Sequence, residues 1–233
     1  MTTIQANLHQ VRDRMAHACD RSGRDVNEVT LLAVSKTFGA DAVREALAAG
    51  QQAFGENYVQ EGVDKVLALR APPPADGRLP VWHCIGPLQS NKTRLVAAHF
   101  DWVQSVDRLK IAQRLSEQRP VGLAPLQVCL QVNIDGGASK SGVPPDELPA
   151  LADAVAQLPG LRLRGLMSIP DPVEGFEAQR DVFLRVREVY QDLQRRGHGI
   201  DTLSMGMSED LEAAIAAGAT LVRVGRAIFG SRG

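Results

Sequence analysis

The sequence predicts one α/β domain: a single (β/α)8 barrel of the TIM type with an additional N-terminal helix. Eight short apolar or β-branched runs alternate with helix-patterned segments. They recur about every 27 residues, enough for one strand, one helix and two short loops. Runs such as LLAV and QVCLQVNI are apolar on both faces, as parallel strands covered on both sides must be. An open doubly wound sheet is the rival, but no GxGxxG follows the first strand.

Ile4–Cys19 opens the chain as an amphipathic helix, with Ile4, Leu8, Val11 and Met15 on one face. The eight strand-like runs are Thr30–Ser35, Gln52–Gly55, Pro80–Gly86, Trp102–Val106, Leu126–Ile134, Leu163–Ile169, Asp201–Gly206 and Thr220–Gly225. Between them, Ala40–Ala49, Tyr58–Leu69, Arg108–Gln118, Pro145–Leu158, Phe176–Arg195 and Glu209–Ala217 carry helical spacing. The Pro-rich stretch Ala71–Pro80 reads as a surface loop, so residues 1–233 form one domain. Little chain follows the eighth run, and the first helix is expected to cover the wall left open there.

The 233 residues are 44% hydrophobic and 23% charged, an ordinary globular composition. With 26 Lys and Arg against 27 Asp and Glu, the net charge of −1 supplies no field that would draw nucleic acid or an anionic membrane. Cys19, Cys84 and Cys129 are odd in number and widely separated, which suits reduced thiols. The start lacks a signal-peptide core and no run approaches ~18 apolar residues, so a cytoplasmic protein is expected, and a monomer.

In parallel barrels the chemistry gathers at the carboxyl ends of the strands. Lys36, Asn57, His83, Gly86, Asn133, Lys140, Ser168, Ser204, Ser208, Arg223, Gly225 and Arg226 all fall at or just beyond such ends. Lys36 shares strand parity with Leu32 and Val34. If that face lines the barrel, burial favours the neutral amine, the nucleophile for Schiff bases with carbonyl compounds. The alternative is a strand-end lysine whose stem packs while its head reaches water.

Ser208 precedes an acidic turn and an Ala-rich helix closed by Gly218, and so reads as an N-cap. Loops after strands seven and eight often hold phosphate through N–H groups and a helix N-terminus; the alternative at Ser208, Gly225 and Arg226 is capping and turn geometry alone. Glu209 and Asp210 would repel a phosphate unless turned away. Arg223 and Arg226 take opposite faces of the last run, so one of them enters the barrel, as a ligand contact or in a buried ion pair. His83 reads as a satisfied core histidine or a base, and no His/Cys grouping has metal-ligand spacing.

LLAVSKT, FGENYVQE, WHCIGPLQSNK, SVDR, LQVNI, RGLMSIP, SMGMSED and VRVGRAIFG, in that order along nearly the whole chain, resemble the pyridoxal phosphate homeostasis protein family. The resemblance implies a barrel similar to the N-terminal domain of alanine racemase, with pyridoxal 5′-phosphate (PLP) joined to Lys36 as a Schiff base. It further implies that Ser208 and the backbone at Gly225 and Arg226 hold the phosphate. Arg223 would face the pyridine nitrogen, and Asn57 with Met205 would line the pocket. The chain departs from the family pattern at Arg226, where Thr is common, in DGGASKSG, which lacks a Glu, and in TFGAD, which replaces TKP.

The implied role is to bind and release PLP and to supply PLP-dependent apoenzymes. Catalysis is disfavoured, because an arginine beside the ring nitrogen leaves it unprotonated and weakens the electron sink. Few residues follow Gly225 to supply the racemase's second domain. Weak racemase-type activity is the alternative. A Schiff-base aldolase acting on a sugar phosphate would carry its lysine on a later strand.

Overall fold

The computed structural model describes residues 3–70, 77–137 and 141–230. Lys140 and most of the Ala71–Pro80 stretch lie outside the described residues. The order is α1 (Ile4–Arg21), β1 (Thr30–Val34), α2 (Ala40–Ala48), β2 (Ala53–Glu56), α3 (Val59–Arg70), β3 (Val81–Cys84), α4 (Thr93–His99), β4 (Trp102–Val106) and α5 (Leu109–Gln118). There follow β5 (Leu126–Val132), α6 (Leu148–Ala156), β6 (Leu161–Ser168), α7 (Phe176–Arg195), β7 (Thr202–Ser204), α8 (Leu211–Ala216), β8 (Leu221–Val224) and α9 (Arg226–Phe229). The eight strands pair in parallel, in chain order, and β8 returns to β1 to close the barrel.

The alternation within each strand divides the core in two. Leu31 and Ala33 of β1 belong to the apolar layer shared with the surrounding helices. Leu32 points the other way, against Gly55, where an added Cβ would stand 3.0 Å from Leu32 Cδ2. Helices contribute their apolar stripes to the outer layer, as Ile111, Ala112 and Leu115 do from α5. Each large side chain removed from water there contributes roughly 1.5–3 kcal/mol.

Helix α1 is capped by Thr3, whose side chain accepts from the Ala6 N–H, and buries Leu8, Val11 and Met15. As expected from the short chain end, it packs on α2, α8 and α9, over the seam where β8 meets β1. Two helices had no counterpart among the predicted segments. α4 follows a 3-10 turn at Ser90–Lys92 in a sequence with weak apolar spacing, and α9 is a single turn.

Ser208 is not the N-cap of α8. That position falls to Asp210, which caps no helical N–H. Its carboxylate turns back to accept from the Met207 N–H at 2.6 Å, closing a turn before the helix begins. Gly218 ends α8 as expected, with φ +101 and its N–H on Ile215 O.

Gly206 sits between β7 and that turn with φ +90, and a Cβ there would overlap Ala214 Cβ of α8. Gly50 also has a positive φ, +81, but faces open space. Gly206→Ala is therefore expected to cost more than Gly50→Ala, by about 1–3 kcal/mol of overpacking. Thermal unfolding should show its midpoint about 2–12 °C lower than that of Gly50→Ala.

Candidate functional site

Barrel closure brings the two ends of the chain together. The register Leu32↔Arg223 and Ala33↔Val224 sets Lys36, just beyond β1, beside Gly225 and Arg226, just beyond β8. On the other side Val34 pairs with Gly55, so Asn57 is the next neighbour. Gly225 approaches β1 so closely that a Cβ would stand 3.1 Å from Val34 O. Gly86 likewise lies against Asn57, whose Cα would be 2.8 Å from an added Cβ. Lys36 is half-buried at this rim and, among the described residues, its amine has no hydrogen bond or ion pair.

Below the rim a polar chain crosses the barrel interior. Arg223 is the buried arginine of the pair, donating from Nη1 to Ser204 Oγ at 2.7 Å and from Nη2 to Ser168 O at 2.8 Å. Ser204 Oγ donates in turn to Gln104 Oε1 at 2.7 Å, and the Gln104 amide N–H meets His83 Nδ1 at 2.9 Å. The direction is set by Arg223, which can only donate, so His83 Nδ1 accepts and its proton stays on Nε2. Burial pushes the His83 pKa down to about 3, so the ring is neutral, a satisfied core histidine stacked on Trp102. Burial also lowers the Arg223 pKa to about 10, with Asp210 opposing the shift; it remains a cation at neutral pH.

Arg226 takes the opposite course. Its guanidinium is 75% exposed and pairs with Glu209 at 3.3 Å, itself 83% exposed. Glu209 is thereby turned outward, and Asp210 is occupied by the Met207 N–H. The first N–H groups of α9, at Arg226 and Ala227, have no partner inside the helix, as at any helix start. Met205 is fully buried and belongs to the apolar layer packed with the helices. Ser208 is half-buried at the loop.

Several residues were not foreseen. Arg14 of α1 donates to the Ser208 carbonyl at 2.9 Å and pairs with Glu212 at 2.8 Å, while Asn7 donates to Ile228 O at 2.8 Å. Helix α1 thus ties down both loops at the chain end. Behind Lys36, Lys65 is buried against Glu56, Glu61 and the Ser35 carbonyl. Burial raises the Glu56 pKa against the opposing pull of Lys65 and Ser35. Thr37, next in the chain, has φ +70, a conformation that costs a β-branched residue about 1–3 kcal/mol. A polar Gln104 inside an apolar strand was a readable signal; the meeting of Glu56 with Lys65 was not.

The geometry fits an aldehyde carrying an anion: a free amine, a nearby helix start and a buried cation lie at adjoining strand ends. The alanine racemase N-terminal domain family matches residues 3–233. A pyridoxal phosphate homeostasis protein of Pseudomonas aeruginosa is 61% identical over 233 residues, covering 100% of this chain and 97% of its own. The chain belongs to the pyridoxal phosphate homeostasis protein family. A second member of that family, from Escherichia coli, is 55% identical, with 100% and 98% of the two chains covered. The structure of PipY from Synechococcus elongatus with PLP bound is similar at a TM-score of 0.82, with 36% identity, over 98% of this chain and 100% of that one.

The buried histidine makes a pH dependence. Its folded-state pKa of about 3 lies below the unfolded 6.5, so only the unfolded chain takes up this proton as pH falls between those values. Stability is lost across that window, at up to about 1.4 kcal/mol per pH unit. His83→Gln keeps a polar side chain without the titration. In urea unfolding at pH 7 and pH 5, the variant is expected to lose less stability than the wild-type chain.

Proposed function

We propose that this chain binds PLP as a Schiff base at Lys36 and serves to hold and release it, as a member of its homeostasis family. The observation that supports the reading is the β1–β8 register, which brings the chain just beyond β1, where Lys36 lies, to the rim at which Gly225 and Arg226 follow β8, with Arg223 deeper in the barrel opposite Leu32. PLP supplies an aldehyde, which condenses with an amine to a C=N bond and expels water.

Lys36 presents the nucleophilic amine. Ser208, with the N–H groups at Gly225 and Arg226, would hold the phosphate, and Arg14 steadies that loop from α1. Arg223 would meet the ring nitrogen. Fixed by Ser204 and Ser168 and still charged at neutral pH, it donates a hydrogen bond without surrendering its proton. A ring nitrogen so held stays unprotonated, which favours retention of the cofactor over carbanion chemistry. Asn57 would complete the pocket wall, whereas Met205, its side chain buried against the helices, would contribute only backbone there.

We infer a carrier rather than a dedicated enzyme. His83, the one histidine on a barrel strand, is neutral, buried and engaged by Gln104, which leaves it unsuited to proton exchange at a substrate carbon. The recipients proposed are PLP-dependent apoenzymes. No helix of the described residues is long and apolar enough to cross a membrane.

The purified protein titrated with PLP should gain visible absorbance, and borohydride should fix the cofactor to Lys36, read by mass spectrometry of the peptide. Lys36→Ala should lose both signals; unchanged absorbance in that variant overturns the lysine assignment. Loaded protein should transfer PLP to an added apoenzyme, whereas rapid exchange of an amino-acid α-proton overturns the carrier role. The outward Arg226 side chain leads to a separate expectation. Arg226→Thr should change the PLP dissociation constant by less than about fivefold, the scale of an exposed ion pair.

A further inference from the structure

The chain on either side of Lys36 is held by one charged cluster outside the barrel. The Ser35 carbonyl accepts from the Phe38 N–H at 3.1 Å, so Ser35–Phe38 is a tight turn with Lys36 and Thr37 at its centre. Thr37, at φ +70, is the one described residue other than glycine with a positive φ. Its N–H donates to Glu61 Oε1 at 2.5 Å. The same oxygen accepts from Lys65 Nζ at 2.7 Å. Lys65 spends its other two protons on Ser35 O and Glu56 Oε1, both at 2.7 Å, and Ser35 Oγ donates to Glu56 Oε1 at 2.5 Å. All three ammonium protons are used, and both neighbours of Lys36 are engaged.

A left-handed β-branched residue persists only where its surroundings over-determine it. Here α3 supplies Glu61 and Lys65, and the end of β2 supplies Glu56. We propose that Glu61 and Lys65, seated on Glu56, are positioning residues that lock the turn carrying Lys36 and so present its amine to the aldehyde of the ligand. The inference rests on the reading of Lys36 as the lysine that forms the Schiff base. The cluster acts on the aldehyde end of the ligand and is remote in the chain from the phosphate loops. Loss of the clamp therefore weakens binding of pyridoxal, which lacks the phosphate, as much as that of PLP.

Glu61 is the residue to change, because its side chain is 30% exposed and borders a water-accessible cleft of about 520 Å3 with Thr37 and Lys65. Glu61→Ala removes the acceptor for Thr37; Glu61→Gln retains an oxygen there. The dissociation constants of PLP and of pyridoxal are read from visible absorbance on the full chain. Glu61→Ala should raise both by a similar factor of about ten, the scale of a hydrogen bond to a charged group. Glu61→Gln should restore both to within about threefold of wild type. In a Thr37→Gly background, where a positive φ is free of strain, the Glu61→Ala penalty should shrink.

Amide exchange of the ligand-free wild-type protein supplies an independent measure, since the Thr37 N–H should be protected. Unchanged constants in folded Glu61→Ala, a loss confined to PLP, or an unprotected Thr37 amide in the wild type overturns the positioning role. Absorbance that survives in Lys36→Ala overturns the Schiff-base reading itself, and this inference with it. Signal lost in Lys36→Ala but undiminished in Glu61→Ala overturns the inference alone.

Discussion

The pairing of β8 with β1 is the constraint on which the rest of the site depends. Parallel strands offer their N–H and C=O groups to both neighbours, so an open sheet leaves two unpaired edges, and closure removes both. Here closure also joins residues more than 190 positions apart, since Leu32 lies opposite Arg223. Lys36 and the Gly225–Arg226 turn are neighbours for that reason alone. The tight fit of Gly225 against Val34 shows how little room the seam leaves. Helix α1 covers the same seam and reaches from it to both loops at the chain end, through Arg14 and Asn7.

Two buried charged groups lie close to this seam, and each is satisfied differently. Arg223 has no carboxylate within hydrogen-bonding distance among the described residues. It is held by Ser204 and a carbonyl, with Asp210 acting at longer range. Such an arrangement keeps the guanidinium charged and oriented, at the cost of a lowered pKa. Lys65 instead sits between two carboxylates, each 2.7 Å away, and leaves Glu56 Oε2 buried without a partner. A cluster of that kind is weak evidence for stability, because desolvation offsets much of the attraction. Its value lies in geometry, for the atoms it engages belong to the residues flanking Lys36.

Much of the architecture was legible from the chain because it depends on local period. Strand runs apolar on both faces, an amphipathic first helix and a repeat near 27 residues each follow from side-chain alternation and chain length. Strand parity also predicted that only one of Arg223 and Arg226 enters the barrel, since residues an odd number of positions apart face opposite ways; the structure shows that it is Arg223. Where the reading failed, the cause was local geometry. Ser208 has the chemistry of an N-cap, but the Asp210 carboxylate closes a turn on the Met207 N–H and the helix starts beyond it. The helix α4 was missed because its seven residues carry too little periodicity to register.

The sequence by itself determined the repeating strand and helix units, which residues share a strand face and, through its ordered motifs, the family. Those features depend on neighbours a few positions apart, where the pleat and the helical turn act directly. Only the tertiary structure decided which strand ends adjoin, that His83, Gln104, Ser204 and Arg223 join into one polar chain, and that Glu61 and Lys65 grip the turn at Lys36. Each of these is a contact between residues distant in the chain, or a direction taken by a side chain once its competitors are packed around it. Register and packing set such contacts, and no local pattern records them.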